Sequence, residues 1–358
     1  MIDKDFIYNL TPIEIQLLST YISKLALDKI NDNTSNADNL DKNVCSCPKC
    51  KSSRYIKYGF NNGHRQKYRC KDCGFIFLST TNTIFSRSKL TYNDWMNFIA
   101  CEINGSTLSQ EAVSISKSVT TCFYMRHKLY RAIKNFVESQ ILSEEIKFDC
   151  TYHKINLKGT KSNKMPRLSK KRGKSDKHNS IKGISKHKVC IFTCIDSHDN
   201  IYASIAGSGS ETFEMLKPYK TLFKRNATFV CDSKPSNILL VKEAKGKSSL
   251  IPSKKHLNKD GNHINDINQI HSELKSLNRK YKGISTRHLP DYLNWYCFLK
   301  KLIYSIELKK RKIEGYIRIM NSNKELINKD ICKIKMSIDL YSVYGEYNYG
   351  IYHKDTTV

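Results

Sequence analysis

The hydrophobic positions change their spacing several times along the chain, and each change marks a new kind of element. Residues 11–30 carry apolar side chains at helical spacing behind Thr11 and Pro12, which suit the cap and the first turn of a helix. The polar, unpatterned stretch 31–43 that follows is typical of a linker. Residues 1–43 are therefore predicted to form a helix and a linker, and a new unit begins after them.

A second helical region extends from residue 90 to residue 133, where apolar positions recur at helical spacing around two short breaks. Within it, "LSQEAVSISKSVTTCFYMRHK" is typical of a helix-turn-helix, with Ser116 where a turn glycine is often found. The positions predicted to face inward are Val119, Cys122 and Met125. Such a motif would present Thr120 and Thr121 to a major groove and Arg126 to phosphates. Any three-helix domain also fits this pattern, so that alternative stays open.

Beyond residue 144 the pattern changes to the alternation of a half-buried strand, with Asp149 near its middle. The alternating apolar positions are Ile146, Phe148, Cys150 and Tyr152. Two further apolar runs, "KVCIFTCID" and "NIYASIAG", predict a hairpin about "SHDN", and "NATFVCD" predicts a short strand that ends at Asp232. Helical patterns follow after residue 210, so the sequence predicts a mixed α/β sheet.

Composition adds a partner to this outline. The chain of 358 residues is long enough for two or three compact units, and its 61 lysines and arginines against 33 acids give a formal charge of +28. Such an excess favours a polyanionic partner, and nucleic acid is the leading one. No long apolar run or signal pattern is present, and the odd number of cysteines, 13, favours a reducing compartment. We therefore expect a cytoplasmic protein without a membrane partner.

Two Cys-x-x-Cys pairs near the start of the chain form the pattern C-x2-C-x19-C-x2-C. The four residues are Cys47, Cys50, Cys70 and Cys73. Knuckles at this spacing present four thiolates tetrahedrally to Zn2+, and closed four-thiolate sites are usually structural. The pattern predicts a structural zinc ribbon over 44–80. Four unrelated buried thiols are the alternative, and Cys45 offers another sulfur that could shift the ligand set.

Lysines and arginines are concentrated at two places that suit a nucleic acid. In the ribbon they are interleaved with tyrosines, and the candidate DNA contacts are Arg65, Lys67 and Arg69. Between residues 154 and 188 there are 13 lysines or arginines and one acid, Asp176, which predicts a loop. The candidate DNA contacts in this loop are Lys170, Lys171 and Arg172. We interpret the loop as a clamp on phosphates; solvated charged loops are the alternative at both places.

An aspartate in the middle of a strand is costly unless it is paired or ligates a metal ion. Asp149 and Asp232 lie in two predicted strands, and two such carboxylates on neighbouring strands could hold Mg2+ for phosphoryl transfer. From the residues alone, a capped or salt-bridged structural role is the commoner one for each of them.

Several short stretches occur in an order and spacing that are specific. They are "RQKYRCKDCGFIF", "MRHKLYRAI", "FDCTY", "MPRLSKKRGK", "KGISKHKVCIFTCID", "VCDS", "HINDINQIHSELK" and "YKGISTRHLPDYLNWY". In these stretches, from the ribbon to about residue 300, the chain resembles the DDE-type transposases of bacterial insertion sequences. The resemblance is to the family with a zinc ribbon before a ribonuclease H-like core, named after insertion sequence fifteen-ninety-five.

This resemblance implies a catalytic centre made of two aspartates on adjacent strands and a third ligand on a helix. The corresponding positions are Asp149, Asp232 and Asn268, which would bind Mg2+ or Mn2+, with Asn265 as the nearby alternative to Asn268. Lys275 follows Asn268 by seven residues, or two helical turns, and so shares its face. Lys275 would hold a DNA phosphate or the third ligand.

Two positions depart from the family pattern. Cys150 follows the first aspartate where the family usually has a glutamate. The stretch "CDSKPSN" replaces the usual Thr-Asp-Gly followed by a tyrosine. Both aspartates remain, which favours an enzyme, whereas the two replacements favour a copy whose core no longer cuts DNA.

The sequence as a whole predicts an α/β protein with a ribonuclease H-like mixed sheet, preceded by a small zinc ribbon and a helix-turn-helix-like segment. The segments are 1–43, a helix and linker; 44–80, the ribbon; 85–140, the helix-turn-helix; 144–300, the core with its basic insert 154–188; and 301–358, without an assigned role. The predicted function is a transposase that binds terminal inverted repeats and cuts and joins double-stranded DNA with divalent metal ions, as a homo-oligomer. The alternative is a zinc-ribbon DNA-binding regulator with an inactive core.

Overall fold

The computed structural model describes residues 46–62, 65–159, 184–252, 263–305, 315, 319 and 325–344. It divides into two compact units, Met1–Ser118 with Asn323–Glu325, and Val119–Ser322 with Leu326–Val358. The predicted N-terminal helix, Cys45 and the insert residues Lys170, Lys171 and Arg172 lie outside the described residues. Within the described part of the chain, no helix combines the length and the apolar character needed to cross a membrane.

The first unit begins with a small antiparallel sheet in the order β1-β2-β3, formed by Tyr55–Phe60, Gln66–Cys70 and Ile76–Leu78. Alternation along β2 buries Tyr68 and Cys70 on one face and leaves Lys67 and Arg69 on the other. Tyr68 stacks on Phe77 of β3 at a centroid distance of 5.8 Å. The apolar cluster that supports this sheet is small, and Cys47, Cys70 and Cys73 are part of it.

Two helices complete the described part of the first unit, α1 over Tyr92–Ile103 and α2 over Leu108–Ser114. A capping box starts α1, because the Thr91 hydroxyl accepts from the backbone N–H of Asp94 and the Asp94 carboxylate accepts from the backbone N–H of Thr91. Trp95 and other apolar residues of α1 are buried. The helical spacing read from the sequence is confirmed here.

The unit boundary falls between Ser118 and Val119, inside the segment 85–140 that we predicted as one helix-turn-helix. Helix α2 therefore belongs to the first unit and α3, Val119–Ala132, to the second, and the helix-turn-helix stays a prediction. Ser116 has a φ of 53°, as expected of a residue in a glycine-like turn position. Cys122 and Met125 are buried as predicted, whereas Val119 is 48% exposed, so its predicted inward orientation is wrong.

The second unit is built on a five-stranded mixed sheet in the order β6-β5-β4-β7-β8. The strands are β4 Glu145–Lys154, β5 Lys188–Asp196, β6 Ile201–Ser208, β7 Thr228–Asp232 and β8 Lys247–Ile251. Strands β5 and β6 form the predicted antiparallel hairpin, while β4, β7 and β8 run parallel to one another. The sequence prediction of a mixed α/β sheet is confirmed.

Helices cover both faces of this sheet. On one face Phe148, Phe192 and Phe229 form a core with α5, a 3-10 helix and α6. On the other face α7 packs against β4 and β5. Helix α8 packs against β6, at the edge of the sheet. The helices of the second unit are α3, α4 Lys134–Glu138, α5 Phe213–Leu216, the 3-10 helix Lys217–Leu222, α6 Pro235–Glu243, α7 Asn265–Lys280, α8 Leu289–Ser305, α9 Asn328–Cys332 and α10 Leu340–Tyr344.

Gly246 joins α6 to β8 at a point where the backbone approaches the core closely. A Cβ atom there would overlap the Phe229 ring and lie 2.7 Å from the carbonyl oxygen of Ala227. We predict that Gly246→Ala lowers the free energy of unfolding by about 1–3 kcal/mol, the usual range for an overpacked site. Ser248→Ala, at an exposed position of β8, serves as the control. Urea denaturation measures both, and an unchanged midpoint for Gly246→Ala would contradict the close approach.

Candidate functional site

The two strand-borne aspartates lie side by side on the sheet. Strands β4 and β7 are neighbours and run parallel, with Glu145 opposite Thr228 and Lys147 opposite Val230. Asp149 and Asp232 each follow this last pair by two residues along their strands. The sequence prediction that these two carboxylates lie on adjacent strands is therefore matched by the sheet.

Both aspartates point away from the aromatic core. Phe148 and Cys150, the neighbours of Asp149, are buried in that core, as is Cys231 beside Asp232. Since side chains alternate along a strand, Asp149 and Asp232 face the opposite side, which α7 covers. The two strands thus place both carboxylates on the face of the sheet that α7 covers.

Helix α7 is anchored beside Asp149 through a threonine of the next strand. The Thr193 hydroxyl donates to the carbonyl oxygen of Asp149 at 2.9 Å and lies 2.8 Å from Nε2 of His271 in α7. Nearer the start of α7, Lys147 Nζ pairs with the Asp266 carboxylate at 2.7 Å. These contacts fix the helix along the acidic face.

A lysine lies among three carboxylates at this point. Lys234 Nζ is 3.1 Å from Asp232 Oδ2, 3.5 Å from Asp149 Oδ1 and 2.6 Å from Glu211 Oε1. Asp232 Oδ1 also accepts a hydrogen bond from the Asn237 side-chain amide in α6. Among the described residues, Asp149 Oδ1 and both oxygens of Glu211 are buried and have no well-aligned hydrogen-bond donor, so their contacts with Lys234 are ion pairs in character.

The electrostatics of the cluster reflect this crowding. Burial raises the pKa of the Asp149 carboxyl to about 6, although the Lys234 ammonium acts in the opposite direction. Burial alone would lower the pKa of Lys234, but the carboxylates of Asp149, Glu211 and Asp232 outweigh it and raise that pKa. The cluster therefore requires a positive charge among its acids.

Asn268 and Lys275 share a flank of α7, as their spacing predicts. The centre of the buried face of α7 is formed by Ile267, Ile270, His271 and Leu274. On one flank, the Glu273 carboxylate is held by Lys300 at 2.7 Å and by the Tyr296 hydroxyl at 2.5 Å, both from α8. A helix advances about 100° per residue, so Asn268 and Lys275 lie on the other flank. Both residues are exposed.

The flank that carries Glu273 borders a cavity of about 260 Å³. Its lining includes two ion pairs, Lys147 with Asp266 and Lys300 with Glu273. Neither Asp149 nor Asp232 lines it. This cavity is therefore distinct from the acidic centre.

The two departures from the family pattern have different structural consequences. Cys150 faces the apolar core, where a hydrogen bond with Cys190, together with burial, raises the pKa of its thiol well above the usual value. Its side chain therefore lies on the opposite side of the sheet from Asp149. The stretch "CDSKPSN", in contrast, supplies Lys234 and Asn237, which both contact the carboxylates.

The four paired cysteines converge in the first unit. Cys47 Sγ lies 3.7 Å from Cys73 Sγ, Cys50 Sγ lies 3.5 Å from Cys70 Sγ, and all four sulfurs are within 4.8 Å of one another. The two knuckles have the same design: the backbone N–H of Lys51 donates to the Cys47 carbonyl, and that of Gly74 donates to the Cys70 carbonyl. The backbone N–H of Cys73 lowers the pKa of the Cys70 thiol to about 7.

The basic side chains of this small sheet are arranged around Tyr58. The Lys67 ammonium lies 5.8 Å, and the Arg69 guanidinium 5.5 Å, from the centroid of the Tyr58 ring. Tyr58 and Arg69 are exposed, while Arg65 and Lys67 are half-buried. On α3, Thr120 is exposed and Thr121 is half-buried.

Arg126 does not match its prediction. Its side chain is 0% exposed, and its guanidinium lies 4.9 Å from the centroid of Tyr281 and 5.9 Å from that of Tyr292. A side chain enclosed in this way does not reach a DNA phosphate. The predicted phosphate contact of Arg126 is therefore wrong. The local sequence could not show this burial, because the aromatic residues that enclose Arg126 come from a distant part of the chain.

A second polar cluster links α3 to α8. The Asp291 carboxylate lies 2.8 Å from Nδ1 of His127 and accepts from Nε of Arg131 at 3.2 Å. His288 stacks against His127 at a centroid distance of 4.2 Å, and burial lowers the pKa of His288 to about 3. Because both Asp291 oxygens already have partners, we interpret this cluster as an internal ion pair that joins two helices.

Glu211 and Lys234 are the functional candidates that the sequence did not reveal. Glu211 lies between β6 and α5, and it approaches Asp149 only through the folding of the intervening hairpin. The sequence pattern around Glu211 shows only that this residue precedes Thr212, the N-cap of a helix. That pattern indicates a helix start, not a buried acid.

The fold and the site together define a mixed α/β protein with an acidic centre on one face of its sheet and a separate cluster of four cysteines. No known family model matches the chain. Over 119 residues the chain is 29% identical to a protein of Halobacterium salinarum described as an uncharacterized protein in transposable element ISH50. The match covers 33% of this chain and 40% of that relative.

Solved structures with detectable similarity include the Mos1 strand transfer complex, at 12% identity and a TM-score of 0.23, over 68% of this chain and 82% of that one. A simian T-cell lymphotropic virus intasome in complex with a phosphatase regulatory subunit matches at 8% identity and a TM-score of 0.27, over 56% and 67% of the two chains. Superpositions this loose do not establish a shared fold.

The burial of Arg126 leads to a prediction about stability. Arg126→Ala should lower the free energy of unfolding by about 2 kcal/mol or more, because a desolvated cation–π contact and the packing of the stem are lost. Arg225→Ala, which removes the same charge from an exposed position, is the control. Urea denaturation followed by tryptophan fluorescence measures both variants. Unchanged stability of Arg126→Ala together with a weaker salt dependence of DNA binding would restore the phosphate contact.

Proposed function

We propose that this protein is a transposase of the DDE type that binds terminal inverted repeats of an insertion sequence and cuts and joins DNA strands. The observation that carries the proposal is that Asp149 and Asp232 lie on the same face of adjacent parallel strands and that Lys234 Nζ is within 3.5 Å of both carboxylates. Proteins of this kind act on double-stranded DNA in the cytoplasm, and we propose that this chain does so as a homo-oligomer. The resemblance to a protein of a transposable element supports the same class.

The donor set at the acidic centre suits a hard divalent cation. Mg2+ and Mn2+ prefer oxygen ligands and keep several positions for water and phosphate. The centre offers carboxylate oxygens of Asp149 and Asp232, and Asp149 Oδ1 is buried with no well-aligned hydrogen bond from any described residue. When bound, such ions would polarise the scissile phosphate and favour deprotonation of the attacking hydroxyl.

The remaining roles are assigned to the chain's own side chains. Asn268, on the flank of α7 away from Glu273, is proposed as the third oxygen ligand, and Lys275 on the same flank as the contact to a DNA phosphate. His271 and Thr193 hold α7 beside Asp149. These residues would keep the ligands in place before DNA binds.

We propose that residues from three parts of the chain contact DNA. In the ribbon they are Arg65, Lys67 and Arg69, in α3 they are Thr120 and Thr121, and in the basic insert they are Lys170, Lys171 and Arg172. Positive side chains around an exposed tyrosine suit a phosphate backbone, which supports the ribbon contacts. The acid-poor composition of the insert supports a sequence-independent clamp.

The four cysteines suit a structural Zn2+ ion, as in a zinc ribbon. Zinc with four Zn–S bonds of about 2.3 Å holds its sulfurs about 3.8 Å apart. The distances of 3.7 Å between the sulfurs of Cys47 and Cys73 and 3.5 Å between those of Cys50 and Cys70 agree with that spacing. Since few apolar residues support this sheet, the ion would supply much of its stability.

One observation favours the alternative of a DNA-binding regulator with an inactive core. The Lys234 ammonium already lies between the two aspartates, where it neutralises them without a metal ion. A protein that never cuts DNA would keep such an arrangement permanently. The two functions differ in whether a divalent cation can replace this ammonium.

An assay of DNA strand cleavage distinguishes the transposase from the DNA-binding regulator. We predict that cleavage of labelled repeat-end DNA requires Mg2+ or Mn2+, and that Asp149→Asn or Asp232→Asn lowers it by about 100-fold or more while DNA binding persists. Asn268→Ala should reduce cleavage severely. Asp199→Asn, at an exposed position of the β5–β6 hairpin, is the matched control.

Two outcomes would change these assignments. A wild-type protein that binds repeat ends but never cuts with either metal ion is a regulator. Equal cleavage by Asn268→Ala and wild type would place the third ligand elsewhere, with Asn265 as the next position to test.

The cysteine cluster leads to a prediction about metal content. Purified protein should contain one zinc ion per chain, and Cys50→Ser and Cys73→Ser should each lose it, because a hydroxyl is a poor ligand for zinc in a thiolate site. Cys101→Ser, at a half-buried cysteine of α1, is the control. Metal analysis by mass spectrometry measures the content. Full zinc in Cys50→Ser would refute this ligand set, and loss of zinc in Cys45→Ser would show that the set has shifted.

A further inference from the structure

We infer that Glu211 is a further carboxylate ligand of the acidic centre and that the Lys234 ammonium occupies the place of a divalent cation until the cation displaces it. This inference rests on the proposed function, because it concerns the same metal centre. It adds a residue from the connection between β6 and α5 to the two strand-borne aspartates.

Glu211 is the most deeply buried of the three acids. Its side chain is 2% exposed, against 17% for Asp149 and 19% for Asp232. An isolated buried carboxylate is very unfavourable, so an ionised Glu211 needs a compensating cation. The Lys234 ammonium, 2.6 Å from Glu211 Oε1, is the cation that the structure provides.

The compensation is incomplete in charge and in geometry. In the part of the chain that the structure describes, one ammonium faces three carboxylates, and neither oxygen of Glu211 has a well-aligned hydrogen bond. An ammonium group has only three N–H donors, whereas a metal ion accepts oxygen ligands from all sides. A divalent cation at the ammonium position would therefore satisfy the oxygens better and neutralise one more charge.

The position of the ammonium is also the right one for such an ion. Its distances of 2.6, 3.1 and 3.5 Å to the three acids show that they surround one point. Oxygen ligands of Mg2+ lie at about 2.0–2.1 Å, so the carboxylates would close inward by about 1 Å on average. Side-chain rotation suffices for movements of that size.

Lys234 is placed so that it can leave. It is the N-cap residue of α6, followed by Pro235, and its side chain is 36% exposed. Its backbone is therefore fixed by the helix start, while its long flexible stem extends from solvent into the cluster. Rotation of that stem would move the ammonium into water without a change in the fold.

Metal affinity in the absence of DNA tests this inference. Zinc-loaded full-length protein is titrated with Mn2+ by calorimetry, as wild type and as Glu211→Gln and Lys234→Met. We expect Glu211→Gln to weaken Mn2+ binding by about tenfold or more, and Lys234→Met to strengthen it by a similar factor, because a competing charge is removed. The controls are Glu214→Gln on α5 and Lys242→Met on α6, both at exposed positions.

Thermal unfolding with and without Mn2+ gives a second measurement. Lys234→Met leaves three acids without their ammonium, so its midpoint should fall without Mn2+ and should rise more than that of wild type when Mn2+ is added. A structural role of Lys234 alone would give the fall without the larger rise. That result would overturn the displacement.

The remaining outcomes separate this inference from the proposed function. If Glu211→Gln binds Mn2+ as wild type does, while Asp149→Asn does not bind it, Glu211 is not a ligand and the metal-dependent function stands. If wild type and Lys234→Met both fail to bind Mn2+ and to cut DNA, the proposed function fails, and the inference fails with it.

Discussion

Three carboxylates that lie close together on one face of an apolar sheet need a cation among them. This electrostatic constraint determines which elements of the second unit meet at the site. Asp149, Asp232 and Glu211 come from three separate elements and meet on the face of the sheet that does not form the aromatic core. Their mutual repulsion has to be offset, and Lys234 does so from the start of α6. The parallel pairing of β4 and β7, the contacts that hold α7 and the cap of α6 all serve to place these groups.

The sequence predicts the parts of this arrangement that depend on local periodicity. Alternation identified β4 and the orientation of Asp149, and the apolar run before Asp232 identified β7, because a strand's two faces are visible in its own residues. Glu211 and Lys234 could not be found in this way. Their contact depends on a crossover between distant elements, and each on its own is typical of an exposed helix start.

The same distinction explains Arg126 and the cysteines. The paired knuckles are local structures, so the spacing of Cys47 and Cys50 predicts their turn from a few residues. The charge of Arg126 indicates an exposed position, but aromatic rings more than a hundred residues further along enclose it. The sequence of α3 alone does not show which of its charged residues a later segment of the chain will cover.

The unit boundary after Ser118 has a consequence for the distance along DNA between a recognised sequence and a cleavage site. Helix α3, with Thr120 and Thr121, belongs to the compact unit that holds Asp149 and Asp232, and Asp291 ties it to α8. If α3 contacts bases, the distance between α3 and the two aspartates within this unit would set the number of base pairs between the recognised sequence and the cleaved bond. Lengthening the loop at 115–118 would then leave the cut position unchanged.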